Sequence, residues 1–291
     1  MNRCKCWATV LIAVLLLLNV AASAATSADA AKEAYEKGKG CLDKKDNDAA
    51  VLTFTEAIRL DPKLAKAYHE RGIAYGRKDE CDKAIADFTE AIRLDPKYAE
   101  AYFDRGTAYG RYAEYDKVIA DFTEAIRLDP KNADYYAMRG MAYYGCKHEC
   151  DKAIADFTEA IKLDPKNGTV YGTRGVVYLQ RAQLDKAIAD FSVENATQQG
   201  NEAQLDQAIA DFSMAISLKQ KDAGLYRCRG VAYYCRDEYD KAIADYAESI
   251  RLNPKDAKTY YNRGEAYEKK GEKAKAEADY ARAKELGYKD K

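Results

Sequence analysis

Apolar residues along this chain recur every three to four positions, the spacing of an amphipathic helix and not the alternation of a strand. Tyr68, Gly72 and Tyr75 fall on one such stripe, and Ala84, Phe88 and Ala91 fall on a second. The segment between them, Gly76 to Cys81, is polar and short enough to turn an antiparallel pair of helices. Asp82 is placed to cap or charge the start of the second helix, and Pro96 forbids its continuation. Gly72 and Ala84 carry almost no side chain, so the two backbones are expected to approach closely, with the rings of Tyr75 and Phe88 filling the space beside them. One hairpin of this kind cannot bury both of its faces, so the pattern predicts stacked neighbours that share a continuous core.

The hairpin repeats. Pro62, Pro96 and Pro130 are spaced by 34 residues and Pro165 follows after 35, in phrases such as EAIRLDPK at Glu56 to Lys63 and again at Glu90 to Lys97. Pro254 lies 89 residues beyond Pro165, which is 21 more than two periods. The surplus has a visible origin: AQLDKAIADFS at Ala182 to Ser192 recurs as AQLDQAIADFS at Ala203 to Ser213. Seven units remain, near 31–64, 65–98, 99–132, 133–167, 168–222 (with the 21-residue insertion), 223–256 and 257–291. A 34-residue unit with small residues at two fixed places, aromatics at others and a closing proline resembles the tetratricopeptide repeat, from Ala31 to about Leu286. The resemblance implies an all-α fold, a right-handed superhelix (α-solenoid) of antiparallel helical hairpins.

The two copies inside the fifth unit differ in the residues that come after them. Phe212 is succeeded by Met214, Ala215, Ile216 and Leu218, which finish an apolar stripe, whereas Phe191 is succeeded by Glu194, Asn195 and Gln198. The second copy is therefore expected to supply the hairpin's second helix. The polar segment Asn195 to Glu202 would loop out beside an inserted extra helix. A tolerated slippage duplication explains this, because surface insertions cost little; a break that changes curvature or supplies a docking helix is the other reading. The terminal units depart as a stack requires. Glu277 and Lys284 stand where inner units carry isoleucines such as Ile85 and Ile92, and Lys37 and Cys41 replace the usual Arg and Tyr.

Ahead of the repeats, Arg3 and Lys5 precede an apolar run from Trp7 to Val20, followed by Ala22-Ser23-Ala24. This reads as a signal peptide over residues 1–24, cleaved near Ala24, with 25–30 as a linker; an uncleaved N-terminal membrane anchor is the alternative. The mature protein is then expected to be secreted or periplasmic, with no membrane insertion after cleavage. Charged residues make up 33% of the chain, yet the net charge is −1 and the signs are interspersed, so no nucleic-acid face is expected.

Signs of chemistry are sparse. There are two histidines, His69 and His148, and no phosphate loop or nucleophile signature, so no catalytic residue, no cofactor and no enzymatic activity are expected. Arg71, Arg105, Arg139, Arg174, Arg229 and Arg263 recur at one place in the unit, and Asp87, Asp121, Asp156 and Asp245 at another. Residues repeated in this way serve the architecture, and they predict Arg–Asp ion-pair ladders. Cys228 and Cys235 share one helix about 10 Å apart and cannot bridge without unwinding it. The string Cys146-Lys147-His148-Glu149-Cys150 leaves three readings open: free thiols, a local Cys146–Cys150 disulfide, or a metal cluster of Cys146, His148 and Cys150 lacking an evident fourth ligand. Sequons at Asn167 and Asn195 matter only in a eukaryotic source, and the repeat phrasing with its signal peptide looks bacterial.

In the family that the repeats resemble, first helices line the concave face where ligands lie. The places turned that way include Lys66, His69, Ile73, Gly76 and Arg77 in the second unit, and Glu100, Phe103, Thr107, Gly110 and Arg111 in the third. Next come Ala137, Met141 and Tyr144, then Gly172, Val176 and Leu179, then Arg227, Val231 and Tyr234. Glu70, Glu100 and Asp104 stand near where carboxylate-clamp members of the family place Asn, Lys or Arg, which argues against that ligand. The apolar centre suits a helix or extended segment of a protein or peptide partner, with methionine giving adaptable contact. A binding scaffold is the expectation. Self-association, or a thiol- or metal-dependent module around Cys146 to Cys150, is the alternative.

Overall fold

The computed structural model describes residues 27–147, 149–191, 198–218 and 221–289, which form fourteen helices and no strand. The expected signal peptide, His148 and Asn195 lie outside the described residues, as do the side chains of 146–147, 184–191 and 198–201. The chain divides into two compact units that meet at Pro130 and Lys131 in sequence. The first holds α1 (27–43), α2 (Asn47–Leu60), α3 (Ala65–Arg77), α4 (Cys81–Leu94), α5 (Ala99–Gly110) and α6 (Tyr115–Leu128). The second holds α7 (Ala133–Lys147), α8 (Cys150–Leu163), α9 (Gly168–Phe191), α10 (Gln198–Leu218), α11 (Ala223–Cys235), α12 (Tyr239–Leu252), α13 (Ala257–Lys269) and α14 (Lys273–Glu285). Each odd helix packs on the even helix after it, and within a unit each even helix packs on the next odd one, the arrangement of an α-solenoid of hairpins.

Local chemistry sets the corners. The turns inside the hairpins place one residue in the left-handed region: Lys45, Asp79, Ala113, Asp237 and Gly271 have φ of 60°, 65°, 56°, 60° and 76°. Between hairpins, the Asp-Pro-Lys phrase works as an Asx turn. Asp95 Oδ1 accepts from the Lys97 N–H at 3.0 Å, as Asp61 does from Lys63 at 3.0 Å and Asp164 from Lys166 at 3.1 Å. Proline sits between donor and acceptor, where no N–H is needed. Asp82 is not the N-cap of α4, which is Glu80; it adds negative charge to the first turn and accepts a hydrogen bond from Tyr112 at 2.8 Å.

The hairpin core forms at the glycine. A Cβ on Gly72 would lie 2.6 Å from the Phe88 ring, and one on Gly106 would lie 2.8 Å from the Phe122 ring. The ring thus packs directly against the backbone of the first helix, and Ala84, Phe88 and Ala91 are buried as the stripe requires.

The recurring arginines and aspartates pair within hairpins. Arg71 donates through Nε and a terminal nitrogen to both carboxylate oxygens of Asp87, at 2.7 and 2.8 Å. The same fork joins Arg105 to Asp121, Arg139 to Asp156, Arg229 to Asp245 and Arg263 to Asp279. These hydrogen bonds hold the Arg71 guanidinium above its ordinary pKa, against the opposing effect of burial. The remaining nitrogen reaches the preceding hairpin: Arg71 to Thr55 at 3.0 Å, Arg105 to Thr89 at 3.2 Å and Arg229 to Ser213 at 3.0 Å. Tyr68 and Tyr75, one turn before and after Arg71, lie 5.6 and 5.9 Å from its guanidinium carbon. Much of the chain's tyrosine serves this repeated clamp.

The fifth hairpin departs from the expectation of a looped-out segment and a separate helix. The first copy of the duplicated sequence continues α9 without a break to 24 residues, and α10 already begins at Gln198 and runs for 21. Residues 198–202, expected in a loop, are helical. The second copy does complete the core: Arg174 forks onto Asp211, 37 residues away, at 2.8 Å on both oxygens, and Phe212 is fully buried. The insertion therefore lengthens the two arms of one hairpin. At the end of the second unit, Glu277 and Lys284 are exposed on α14 while Ala276 and Ala283 are buried.

Candidate functional site

The surface assigned to ligands is the exposed side of the first helices, and each unit presents its own. In the first unit, Phe103 is half-buried on α5 with its ring centroid 5.2 Å from that of Phe122. His69, on the same face of α3, is not available to a ligand: it is 5% exposed. Its Nε2 lies 2.7 Å from Asp104 Oδ2 on α5, and its Nδ1 lies 2.9 Å from the Tyr98 hydroxyl just before α5. With Nε2–H donating to Asp104 and Nδ1 accepting from Tyr98, all three groups are satisfied. This link between consecutive first helices was missed from sequence, since its members are 29 and 35 residues apart and no other unit carries a histidine at this place. Burial, then the carboxylate of Glu70, pushes the Tyr98 hydroxyl above its ordinary pKa. Glu70 is itself raised, chiefly by burial.

In the second unit, α7 carries Ala137, Met141 and Tyr144. Met141 is 51% exposed, Ala137 packs against the core of its hairpin, and the Tyr144 hydroxyl donates to Gln180 on α9. On α9, Val176 is half-buried and Leu179 is buried within the cluster around Ala208 and Phe212, so Leu179 offers little to a ligand. On α11, Arg227 Nε stands 3.3 Å from Asp256 Oδ2, Val231 is half-buried, and the Tyr234 ring meets Tyr239 edge-on at 5.6 Å. Burial raises Tyr234 and Tyr144 above the ordinary tyrosine range. Where α9 meets α11, a cavity of about 310 Å³ is lined by Gly172, Thr173, Val176, Phe212, Leu225 and Cys228, among others. Sequence pattern placed Gly172 and Val176 on this face but did not reveal the cavity.

Cys41, Cys81 and Cys228 carry free thiols, and burial pushes the Cys228 thiol up. Cys228 and Cys235 share α11, as their spacing required. His148 and the side chain of Cys146, and with them the metal cluster and the Cys146–Cys150 disulfide, lie outside what the structure describes. Among the described residues no three potential ligands converge on a metal position, and no helix is long and apolar enough to cross a membrane.

The family described as TPR repeat matches residues 78–111 and 232–271, and those described as tetratricopeptide repeat match 99–132 and 257–286, and separately 147–200. No curated protein matches the chain. Among solved structures, a tetratricopeptide repeat protein from Parabacteroides merdae is 20% identical, with a TM-score of 0.59 over 89% of this chain and 94% of its own. YrrB, described as a TPR protein with an unusual peptide-binding site, is 21% identical, with a TM-score of 0.57 over 69% of this chain and 92% of its own. PilF of Pseudomonas aeruginosa is 18% identical, with a TM-score of 0.58 over 77% of this chain and 91% of its own. At these identities the structures speak for the fold, and the family matches agree with it. The glycine-to-ring contact, the 34-residue period and these matches converge: the chain belongs to the tetratricopeptide repeat family.

Proposed function

We propose that this protein is a non-catalytic scaffold that binds a protein or peptide partner outside the cytoplasm, through the first-helix face of its second unit. The observation that carries the reading is Met141, 51% exposed on α7, at the repeat position that Val176 and Val231 occupy on α9 and α11. An exposed, flexible methionine in line with half-buried valines gives an apolar surface suited to a partner's side chains. In the first unit, Phe103 lies one turn earlier in the repeat on the same helix face. The family's general use as a binding scaffold, and the peptide-binding site in the description of YrrB, support a peptide-like ligand. The basic start, apolar run and Ala22-Ser23-Ala24 support export.

Affinity capture tests this, with residues 25 to 291 as bait in extract from the secreted or periplasmic fraction and a second bait carrying Met141→Arg. The proposal expects a protein recovered by the wild type and lost from the variant. Capture indifferent to the substitution moves the site off this face, and no partner with an oligomeric bait replaces the scaffold by self-assembly.

A further inference from the structure

The other hairpins show what shape of group fits the cavity between α9 and α11. In four of them the fifth position of the repeat unit carries a ring that packs on the ring of the second helix. Tyr35 meets Phe54, His69 meets Phe88, Phe103 meets Phe122 and Tyr261 meets Tyr280, with centroids 5.9, 5.6, 5.2 and 5.4 Å apart. Of the other positions, Ala137 packs against its hairpin core and Arg227 pairs with Asp256. In the long hairpin the position is Gly172, on the Phe212 side of α9, and glycine has no side chain to take the place of the ring. Leu225 of α11 leans across instead: a Cβ on Gly172 would stand 3.0 Å from Leu225 Cδ2. A leucine tip is narrower than an aromatic ring, and the cavity of about 310 Å³ remains beside it.

Two polar side chains of the wall are already engaged. Thr173 Oγ1 donates to Thr169 O at 2.9 Å, and Asp222 at the rim accepts from the N–H groups of Gly224 and Leu225 at 2.8 and 3.4 Å. Val176, Leu225 and the Cys228 thiol supply soft, apolar surface. With the Thr173 hydroxyl turned to the backbone and Val176, Leu225 and Phe212 lining the interior, the site favours an apolar group over a charged one.

We infer that this cavity is an anchor pocket for one aromatic side chain, phenylalanine or tyrosine, of the bound partner. The inference rests on the scaffold reading and deepens it. The partner's ring takes the place that Tyr35, His69, Phe103 and Tyr261 fill in their own hairpins. Gly172 is the specificity-determining residue, because a Cβ there would already crowd Leu225 Cδ2 at 3.0 Å and a larger side chain would take up the pocket's own space.

Cys228 in the pocket wall makes the test direct on the full mature chain. Its alkylation by N-ethylmaleimide is followed by mass spectrometry, with millimolar N-acetyl-phenylalaninamide or N-acetyl-alaninamide as probe. The phenylalanine probe is expected to slow alkylation of Cys228 about threefold, a weak effect suited to so small a ligand, and the alanine probe to leave it unchanged. Gly172→Phe, which supplies the chain's own ring, is expected to slow alkylation without any probe and to abolish the probe's effect while the thermal transition stays cooperative. Should that variant fail to fold, Val176→Lys places a charge in the pocket and is expected to abolish protection in the same way. No protection of wild-type Cys228 by the phenylalanine probe, or equal protection by both probes, overturns the inference. A partner captured equally by wild-type and Gly172→Phe baits also overturns the pocket but leaves the scaffold standing. Protection of Cys228 with no partner ever captured supports the pocket and removes the scaffold reading alone.

Discussion

At the scale of single residues, the Arg–Asp fork decides which of two near-identical sequences belongs to the core. Arg174 and Asp211 are 13% and 5% exposed in their side chains, so removing one partner strands a buried charge at a cost of roughly 3–5 kcal/mol. Asp211→Ala is therefore expected to lower the unfolding free energy by about that amount in a urea titration. Asp190→Ala, the same change in the first copy, is expected to alter it by less than about 0.5 kcal/mol, since Arg174 is already taken. Equal effects would contradict the pairing. Glu70 gives a pH signature. Burial raises its folded pKa, so its contribution to stability is present below the ordinary glutamate range and is lost as pH rises through the raised value. Glu70→Gln is expected to raise the melting temperature at pH 7, with the gain shrinking towards pH 4; a loss at pH 7 would show that Glu70 has a stabilising partner. The fork was legible in sequence because it recurs from period to period. The His69–Asp104–Tyr98 link was not, because one occurrence across two hairpins leaves no periodic trace.

At the scale of elements, the duplication could be read but its structural outcome could not. Elsewhere the chain turns at a residue in the left-handed region, Asp79, Ala113 or Asp237, followed by a glutamate that starts the next helix. The glutamate then binds a lysine three residues on, as Glu80 binds Lys83. At the corresponding place α9 has Ala182 and Gln183, and the sequence beyond is itself a second-helix sequence rich in helix formers. No residue there forces a stop, and because the second copy supplies the packed second helix, the first copy is free to extend α9 to Phe191. The apolar continuation identified the better copy, yet the poorer copy reads as a separate piece because its own pattern is that of a second helix. Deleting Ala182 to Glu202 joins Arg181 to Ala203 and restores the ordinary hairpin, with Arg174 and Asp211 at the usual separation. The deletion variant is expected to unfold in one cooperative transition within a few degrees of the parent, since the Arg174 fork and the Phe212 contact both survive it. A broadened transition or loss of helix beyond the deleted residues would mean that the long arms support their neighbours.

At the scale of the whole molecule, each unit buries its alanines and rings between helices and leaves its first-helix sides as surface. The period alone pointed to the fold, because a 34-residue unit with a glycine opposite a ring has few ways to fold other than a stacked hairpin. The ligand face was legible only as a set of positions: helical phase put Met141, Val176 and Val231 on it, while the engagement of His69, Leu179 and Arg227 needed coordinates. The claim that joins these scales is that partners are held on the first-helix face and not on the outer helices. Photo-crosslinking in the cells that make the protein tests it most directly, with benzoylphenylalanine placed at Met141 on α7 or at Leu52, 72% exposed on α2. An adduct with a different protein is expected from position 141 and none from position 52. Adducts formed only from position 52, or only between two copies of this chain, would contradict it.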